Sequence, residues 1–340
     1  MRSYIDIQRV LLPDLLQVMQ KRYTILRNIG YMQPVGRRSL AVSLGFTERT
    51  LRSEVDFLKE QNLIAANNTG MKLTQEGKNL LEDLEAYMRE VKGIDVMELE
   101  LKHLLNIQRT IIVPGDSDEH PMVKSELGKA CASWMKDLLT GKNIIAVTGG
   151  STMAAVAEQL TSDMGSNELL FVPARGGIGE DVQNQANTIC SIMAHNTHSK
   201  HRVFYVPDQI SAESFETLVK EPFIHEVLRL IQSASIVLHG IGDAMTMAER
   251  RKTDPADMQK LIEGKAVGEA FGYYFNEAGE VVHKVSTVGL QLADLPKIPN
   301  VIAVAGGTSK AKAIGAYMKQ APSSTVLITD EGAAKTLLKG

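Results

Sequence analysis

Ile144-Ile145-Ala146-Val147-Thr148-Gly149-Gly150-Ser151-Thr152 decides the fold. Its first four residues are apolar without polar alternation, which reads as a strand buried on both faces, and the glycine pair ends it. The helical run Met153-Ala154-Ala155-Val156-Ala157-Glu158 follows at once. Strand, glycine turn and helix in that order form the repeating unit of a parallel α/β sheet. The turn also reads as a phosphate cradle. Gly149 and Gly150 lack a Cβ and let backbone N–H groups approach an anion, Ser151 and Thr152 add hydroxyl donors, and the helix aims the positive end of its dipole at the same spot.

Glycine turns are common wherever a parallel sheet turns over, so one loop alone is a weak sign. A second copy strengthens it: Ile302-Ala303-Val304-Ala305-Gly306-Gly307-Thr308-Ser309-Lys310 repeats the pattern position by position and adds a lysine. Thr308 and Ser309 then match Ser151 and Thr152 as hydroxyl donors. Lys310 at a helix start opposes the dipole unless an anion joins it. Two anion-grade loops suggest a ligand with two charged ends.

Around these loops, apolar runs at 110–113, 144–147, 169–173, 203–206, 236–238, 301–304 and 326–328 read as strands. Amphipathic helical stretches such as 123–139 and 223–232 lie between most of them. The pattern predicts a doubly wound, mostly parallel α/β body. One inserted segment differs: residues 271–285, turning at Asn276-Glu277-Ala278-Gly279, predict a β-hairpin.

Ligands of open α/β sheets sit outside the carboxyl ends of the strands, and four predicted strands end in glycine-rich exits, at 148–152, 174–179, 239–243 and 305–310. Arg175 stands beside Gly176 and Gly177, where a guanidinium can fork onto a phosphate without obstruction; a structural ion pair is the alternative. The pair Arg250-Arg251 fits either a pocket contact or a solvated pair. Gln185 carries an amide suited to hydroxyls, and Glu269, beside the hairpin, is a hydroxyl acceptor or an ordinary surface carboxylate. His239, before a glycine at a strand end, reads as a satisfied core histidine.

Composition narrows the classes. A chain of 340 residues with 44% hydrophobic and 23% charged residues makes about two globular domains. Cys131 and Cys190 have no metal-ligand spacing with any histidine, which excludes a structural zinc site and points to a reducing cytoplasm. No basic-then-apolar leader is present, and no apolar run approaches the roughly 18 residues that span a bilayer, so the expectation is a cytoplasmic protein without a membrane partner. Neither a dinucleotide G-x-G-x-x-G with its acidic partner, nor a P-loop, nor G-x-S-x-G occurs.

The net charge of -3 hides an asymmetry: residues 1–74 carry eleven Lys/Arg against six Asp/Glu, a net +5, which leaves -8 for the rest. A basic head on an acidic body suits a chain that meets nucleic acid at one end. Within the head, an amphipathic helix begins near Leu11, Ser39 to Leu44 is a short helix closed by Gly45, and Thr47 is a plausible N-cap for a helix to about Gln61. Leu51, Val55 and Leu58 give that helix its apolar face. Residues 63–66 and 71–74, turning at Asn67-Asn68-Thr69-Gly70, form a wing. This winged helix-turn-helix would meet DNA through Arg37, Arg38, Thr47, Glu48, Arg49, Thr50, Arg52, Ser53, Asn67 and Asn68, with the second helix in the major groove. The expected division is 1–74 for the head, 75–93 for a helical linker, and 94–340 for the α/β body. The linker fits dimer contacts and equally a helix packed on its own domain.

Read in order, the helix-turn-helix, TGGST at 148–152, VPARGG at 172–177, HGIG at 239–242 and AGGTSK at 305–310 resemble the SorC/DeoR-type sugar-responsive bacterial repressors. The likeness runs along nearly the whole chain and includes FGYYF at 271–275. It implies an operator-reading winged helix joined to a sensor domain similar to sugar-phosphate isomerases and glucosamine-phosphate deaminases. It further implies no cofactor, fructose 1,6-bisphosphate as inducer, and dimers that pair into tetramers on operator DNA ahead of glycolytic genes. Carried onto these residues, one phosphate falls to Gly149, Gly150, Ser151 and Thr152 with Thr308, Ser309 and Lys310. The other falls to Arg175, with Gly177 beside it, and Arg250, while Gln185 and Glu269 take sugar hydroxyls. Ser151-Thr152 stands where two threonines are expected; both supply hydroxyls. The competing class is a sugar-phosphate isomerase or deaminase. Those enzymes follow the glycine motif with Asp, Gly and His, whereas Gly240-Ile241-Gly242-Asp243-Ala244-Met245 lacks the histidine, which favours sensing over turnover.

Overall fold

A computed structural model describes residues 4–67, 69–164, 168–177, 181–207 and 212–340. The chain divides into two compact units, Met1–Asp95 and Val96–Gly340. In the first, helix Tyr4–Leu11 precedes helix Pro13–Met32, whose proline takes a first-turn position where its missing N–H costs nothing. Helix Arg37–Leu44 ends at Gly45, which adopts the left-handed conformation (φ 63°) that a Cβ disfavours. Thr47 then caps helix Glu48–Glu60 by accepting the N–H of Thr50 at 3.2 Å. Leu51, Val55 and Leu58 turn inward onto Ile25, Leu26, Ile29 and Leu40. Strands β1 (Ile64–Asn67) and β2 (Gly70–Leu73) pair antiparallel as the wing. Helix Gln75–Lys92, capped by Thr74, packs on helix Pro13–Met32 and stops at left-handed Gly93.

The second unit is built on seven strands. They are β3 (Arg109–Val113), β4 (Lys142–Val147), β5 (Glu168–Pro173), β6 (Lys200–His201), β7 (Ile236–Gly240), β12 (Asn300–Val304) and β13 (Thr325–Asp330). Between β7 and β12 the chain inserts β8 (Gly242–Asp243), β9 (Ala266–Ala270), β10 (Tyr273–Asn276) and β11 (Val281–Lys284). The seven-stranded sheet is parallel, in the order β3-β13-β12-β7-β4-β5-β6. The chain thus winds outward from β4 to β6, then returns beside β4 as β7 and winds the other way. Ile145, Val147, Phe171, Leu238 and Val304 lie in one core with Leu127, Val156 and Ile189 of the covering helices. No described helix is long and apolar enough to cross a membrane.

Two expectations change. The strand expected at 203–206 is absent, and its neighbour β6 is only two residues long. A side chain replaces the ladder: Asn187 Oδ1 accepts the N–H of Phe204 at 2.7 Å and its Nδ2 donates to the Phe204 carbonyl at 3.1 Å, while the Val206 carbonyl accepts the N–H of Gly177. The expected hairpin is present as β10–β11, but it belongs to a four-stranded antiparallel sheet, β11-β10-β9-β8, so Glu269 sits within a strand.

Candidate functional site

A cavity of about 270 Å³ opens at the carboxyl ends of β4, β5 and β7, where the strand order reverses. Gly149, Gly150, Ser151 and Thr152 form one wall. Gly150 has φ 116°, and its N–H reaches the Asn184 carbonyl at 2.8 Å. A Cβ on Gly149 would stand 2.7 Å from the same carbonyl oxygen, so both glycines are required for the loop to close. Helix Ser151–Gln159 follows with no side-chain cap, and its first residues face the cavity. An uncapped helix start in a cavity is a preformed anion site.

The second glycine loop is filled by the chain itself. Thr308 donates its N–H to Asp116 Oδ1 at 3.3 Å and its hydroxyl to Asp116 Oδ2 at 2.5 Å. The N–H of Ser309 reaches Asp118 Oδ2 at 2.7 Å, and that of Gly307 reaches Asp330 Oδ2 at 2.7 Å. Burial pushes the Asp330 carboxyl above the usual carboxylate range, against the N–H groups of Ala333 and Ser117 that it accepts. Thr308 and Ser309 do not line the cavity; of that loop only Lys310 does. The two loops match in sequence and differ in occupant, because the carboxylates arrive from the loop after β3 and the end of β13.

Lys310 makes no side-chain hydrogen bond or ion pair among the described residues. Its ammonium is held below the usual lysine range first by burial and then by the Lys124 charge, which Asp118 opposes. An arriving anion would reverse that balance. Arg250, exposed at the end of helix Ala244–Arg250, borders the same space. Arg175 is buried, with Nη1 3.6 Å from Glu269 Oε1. Gln185, the N-cap residue of helix Ala186–Asn196, lines the wall. Gly177 lies behind that wall, where a Cβ would meet Gln185 Oε1 at 3.4 Å, and Gly176 takes the lining position.

Glu269 is a buried carboxylate with its two oxygens in different roles. Oε1 accepts from Arg251 Nη2 at 2.9 Å and from the N–H of Gly272 at 2.6 Å. Oε2 takes no hydrogen bond among the described residues and lies 3.6 Å from where a Cβ on Gly242 would stand. Burial raises the Glu269 pKa, and the Arg251 and Arg175 charges outweigh it, so the group is held below the usual range. Sequence reading left Arg251 open between the pocket and solvent and carried only Arg250 into the site. The signal for Arg251 was helical spacing: Ala244, Ala248 and Arg251 fall at i, i+4 and i+7, one buried face. Asn184 and Asp243 also border the cavity.

Two further titratable groups at this end of the sheet are engaged within the fold. His239 is wholly buried, with Nδ1 3.1 Å from the Gly240 carbonyl, and burial pushes its pKa down to about 4. Asp243 caps the next helix, accepting the N–H and hydroxyl of Thr246 at 2.9 Å each.

In the first unit, Arg37, Arg38, Thr47, Glu48, Arg49, Thr50, Arg52, Ser53 and Asn67 are exposed, and Asn68 lies outside the described residues. Arg38 pairs with Glu48 at 3.5 Å, the Thr47 and Thr50 hydroxyls meet at 2.9 Å, and Asn67 Oδ1 accepts the Thr69 hydroxyl. Two head cations face inward instead: Lys21 and Arg22 hold Glu54 of helix Glu48–Glu60 at 2.5 and 2.9 Å, and Arg22 stacks on Phe57.

Residues 89–339 match the family model of a sugar-binding domain, and residues 18–88 match that of the CggR N-terminal DNA binding domain. The chain is 60% identical over 340 residues to the central glycolytic genes regulator of Priestia megaterium, spanning 100% of this chain and 99% of that protein. It is 56% identical over 339 residues to the protein of the same name from Bacillus subtilis, with the same coverage. Among solved structures, a SorC family transcriptional regulator from Enterococcus faecalis superposes with a TM-score of 0.68 at 50% identity, over 71% of this chain and 99% of that one.

Proposed function

Because this chain belongs to the SorC family of sugar-binding transcriptional regulators, we propose that it represses central glycolytic genes and leaves operator DNA when fructose 1,6-bisphosphate fills its cavity. The observation that carries this reading is one uncapped helix start, at Ser151 and Thr152, in a cavity that also holds Arg175, Arg250 and Lys310. Such a wall suits a ligand anionic at both ends.

One phosphate would take the N–H groups and hydroxyls of Ser151 and Thr152 together with the Lys310 ammonium. The other would take Arg175 and Arg250. Glu269 Oε2 and the Gln185 amide are the groups left for sugar hydroxyls. The Thr308 and Ser309 donors serve Asp116 and Asp118, so that loop contributes Lys310 to the ligand and its backbone to the scaffold. In the first unit, helix Glu48–Glu60 would lie in the major groove, with Arg49 and Arg52 on its exposed side. The functional division is 1–74 for operator reading, 75–93 for connection between subunits, and 94–340 for the effector.

The chain is a regulator rather than an enzyme, acting where operator DNA lies, in the cytoplasm. Release follows from linkage. If the bisphosphate favours a dimer or tetramer arrangement other than the one that grips DNA, a coupling of roughly 1 to 3 kcal/mol lowers operator affinity about 5- to 150-fold. The test is a melting screen of the full chain against phosphorylated sugars, paired with anisotropy of a labelled operator. A ligand at 100 times its dissociation constant adds about 2.7 kcal/mol. Fructose 1,6-bisphosphate should shift melting more than fructose 6-phosphate and release the operator; a bisphosphate that does neither refutes the reading.

A further inference from the structure

We infer that Arg251 acts through Glu269 to position Arg175 for the effector, and so sets the strength of that anion contact without being one of the ligand's own contacts. This rests on the reading of Arg175 as an anion ligand.

Arg251 follows helix Ala244–Arg250, and its side chain is only 1% exposed. It spreads two prongs onto the antiparallel sheet: Nη2 to Glu269 Oε1 on β9 at 2.9 Å, and Nη1 to the Tyr274 hydroxyl on β10 at 3.0 Å. The same Glu269 oxygen accepts the N–H of Gly272 at 2.6 Å and lies 3.6 Å from Arg175 Nη1. Arg175 follows β5 of the other sheet, so one oxygen atom joins the two sheets at the cavity wall. Two-pronged guanidinium contacts fix orientation as well as charge, and here they fix the atom against which Arg175 rests.

Charge completes the case. Two guanidinium groups share one buried carboxylate oxygen, Arg251 at 2.9 Å and Arg175 at 3.6 Å. Remove Arg251 and Arg175 is the guanidinium left beside a desolvated carboxylate whose other partner is the Gly272 N–H. It would close from 3.6 Å to a full ion pair, and its charge would be spent inward. Arg251 itself also borders the cavity. A direct ligand contact is therefore the competing role, and a double-mutant cycle separates the two.

The experiment measures fructose 1,6-bisphosphate binding by calorimetry to the full-length protein and to R251M, R175A, the double variant and R251K. Melting of the unliganded proteins and operator binding check folding. Positioning through Glu269 predicts that R251M weakens binding about tenfold in the natural background and less than about twofold when R175A is present, with R251K recovering part of the loss. Equal fold-losses in both backgrounds make Arg251 a direct contact and overturn the inference, as does an R251M protein that binds normally. If R175A itself binds normally, the reading of Arg175 fails and the inference falls with it. Loss in R175A without loss in R251M overturns the inference alone. Should R251M not fold, R251Q takes its place in the cycle with the same outcomes.

Discussion

The Tyr317 hydroxyl lies 3.0 Å from Nε2 of His239, and both rings are wholly buried. Nδ1 faces the Gly240 carbonyl at 3.1 Å, so the network assigns the proton to Nδ1 and lets Nε2 accept from tyrosine. The imidazole is held neutral, its pKa pushed down by burial to about 4 against an ordinary 6.5. Between those values the unfolded chain binds a proton that the folded chain refuses. Stability therefore rises with pH across that window and is lost as pH falls through it, by ~3 kcal/mol at the acid end. Melting of the natural protein and of His239→Gln from pH 7.5 to 4.5 checks this. The variant should start lower and fall less steeply, and parallel curves would contradict the assignment.

Arg175→Ala should weaken fructose 1,6-bisphosphate by ~2–3 kcal/mol, about 30- to 150-fold, because it removes a charge-assisted contact in a desolvated wall. Operator affinity without ligand should stay within about twofold, since the change lies outside the unit that reads DNA. Calorimetry and operator anisotropy measure the two quantities. An induction curve identical to that of the natural protein would remove Arg175 from the site.

The two glycine loops should respond in opposite ways. Thr308→Val removes the hydroxyl that Asp116 accepts at 2.5 Å and should lower unliganded stability by ~1–2 kcal/mol while leaving bisphosphate affinity within about twofold. Ser151→Ala should leave stability nearly unchanged and weaken the ligand about tenfold. The reverse pattern would mean that the ligand displaces Asp116 and Asp118 and takes both loops.

In the head, Arg49→Ala and Arg52→Ala should each weaken operator binding and reduce the slope of log affinity against log salt by ~1, the mark of one lost phosphate contact. Lys21→Ala should leave that slope alone, because the partly buried Lys21 ammonium is already paired with Glu54. It should instead lower the head's stability modestly, by ~1 kcal/mol for a partly exposed pair. A slope change in Lys21→Ala of the same size as in Arg52→Ala would mean the Glu54 pair opens on DNA.

The sheet, the helix-turn-helix and the strand–glycine–helix turn at Gly149 to Thr152 were legible because each is written in consecutive residues: a buried run, a cap, a glycine pair. What escaped was decided by residues distant in sequence. Val203 to Val206 have strand composition, yet Asn187 takes the backbone groups a strand would need. Thr308 and Ser309 repeat the first loop's chemistry, yet their donors are met by Asp116 and Asp118, nearly two hundred positions upstream. Arg251 and Arg250 are neighbours in sequence, yet Arg251 is buried and Arg250 exposed, since a helix turns successive side chains about 100° apart. Which of the two faces the core follows from Ala244 and Ala248, not from either arginine.

The filled second loop gives the pocket a fixed corner. An anion that is part of the chain has an effective concentration set by geometry, which no change in the surrounding solution alters. The Asp116 and Asp118 carboxylates therefore hold one glycine loop from within the chain, while its twin at Gly149 and Gly150 leads into the uncapped helix start that the proposed effector would meet. On the proposed function the pair would behave as a reference electrode and a measuring electrode do: one terminal is held constant so that the reading at the other has meaning.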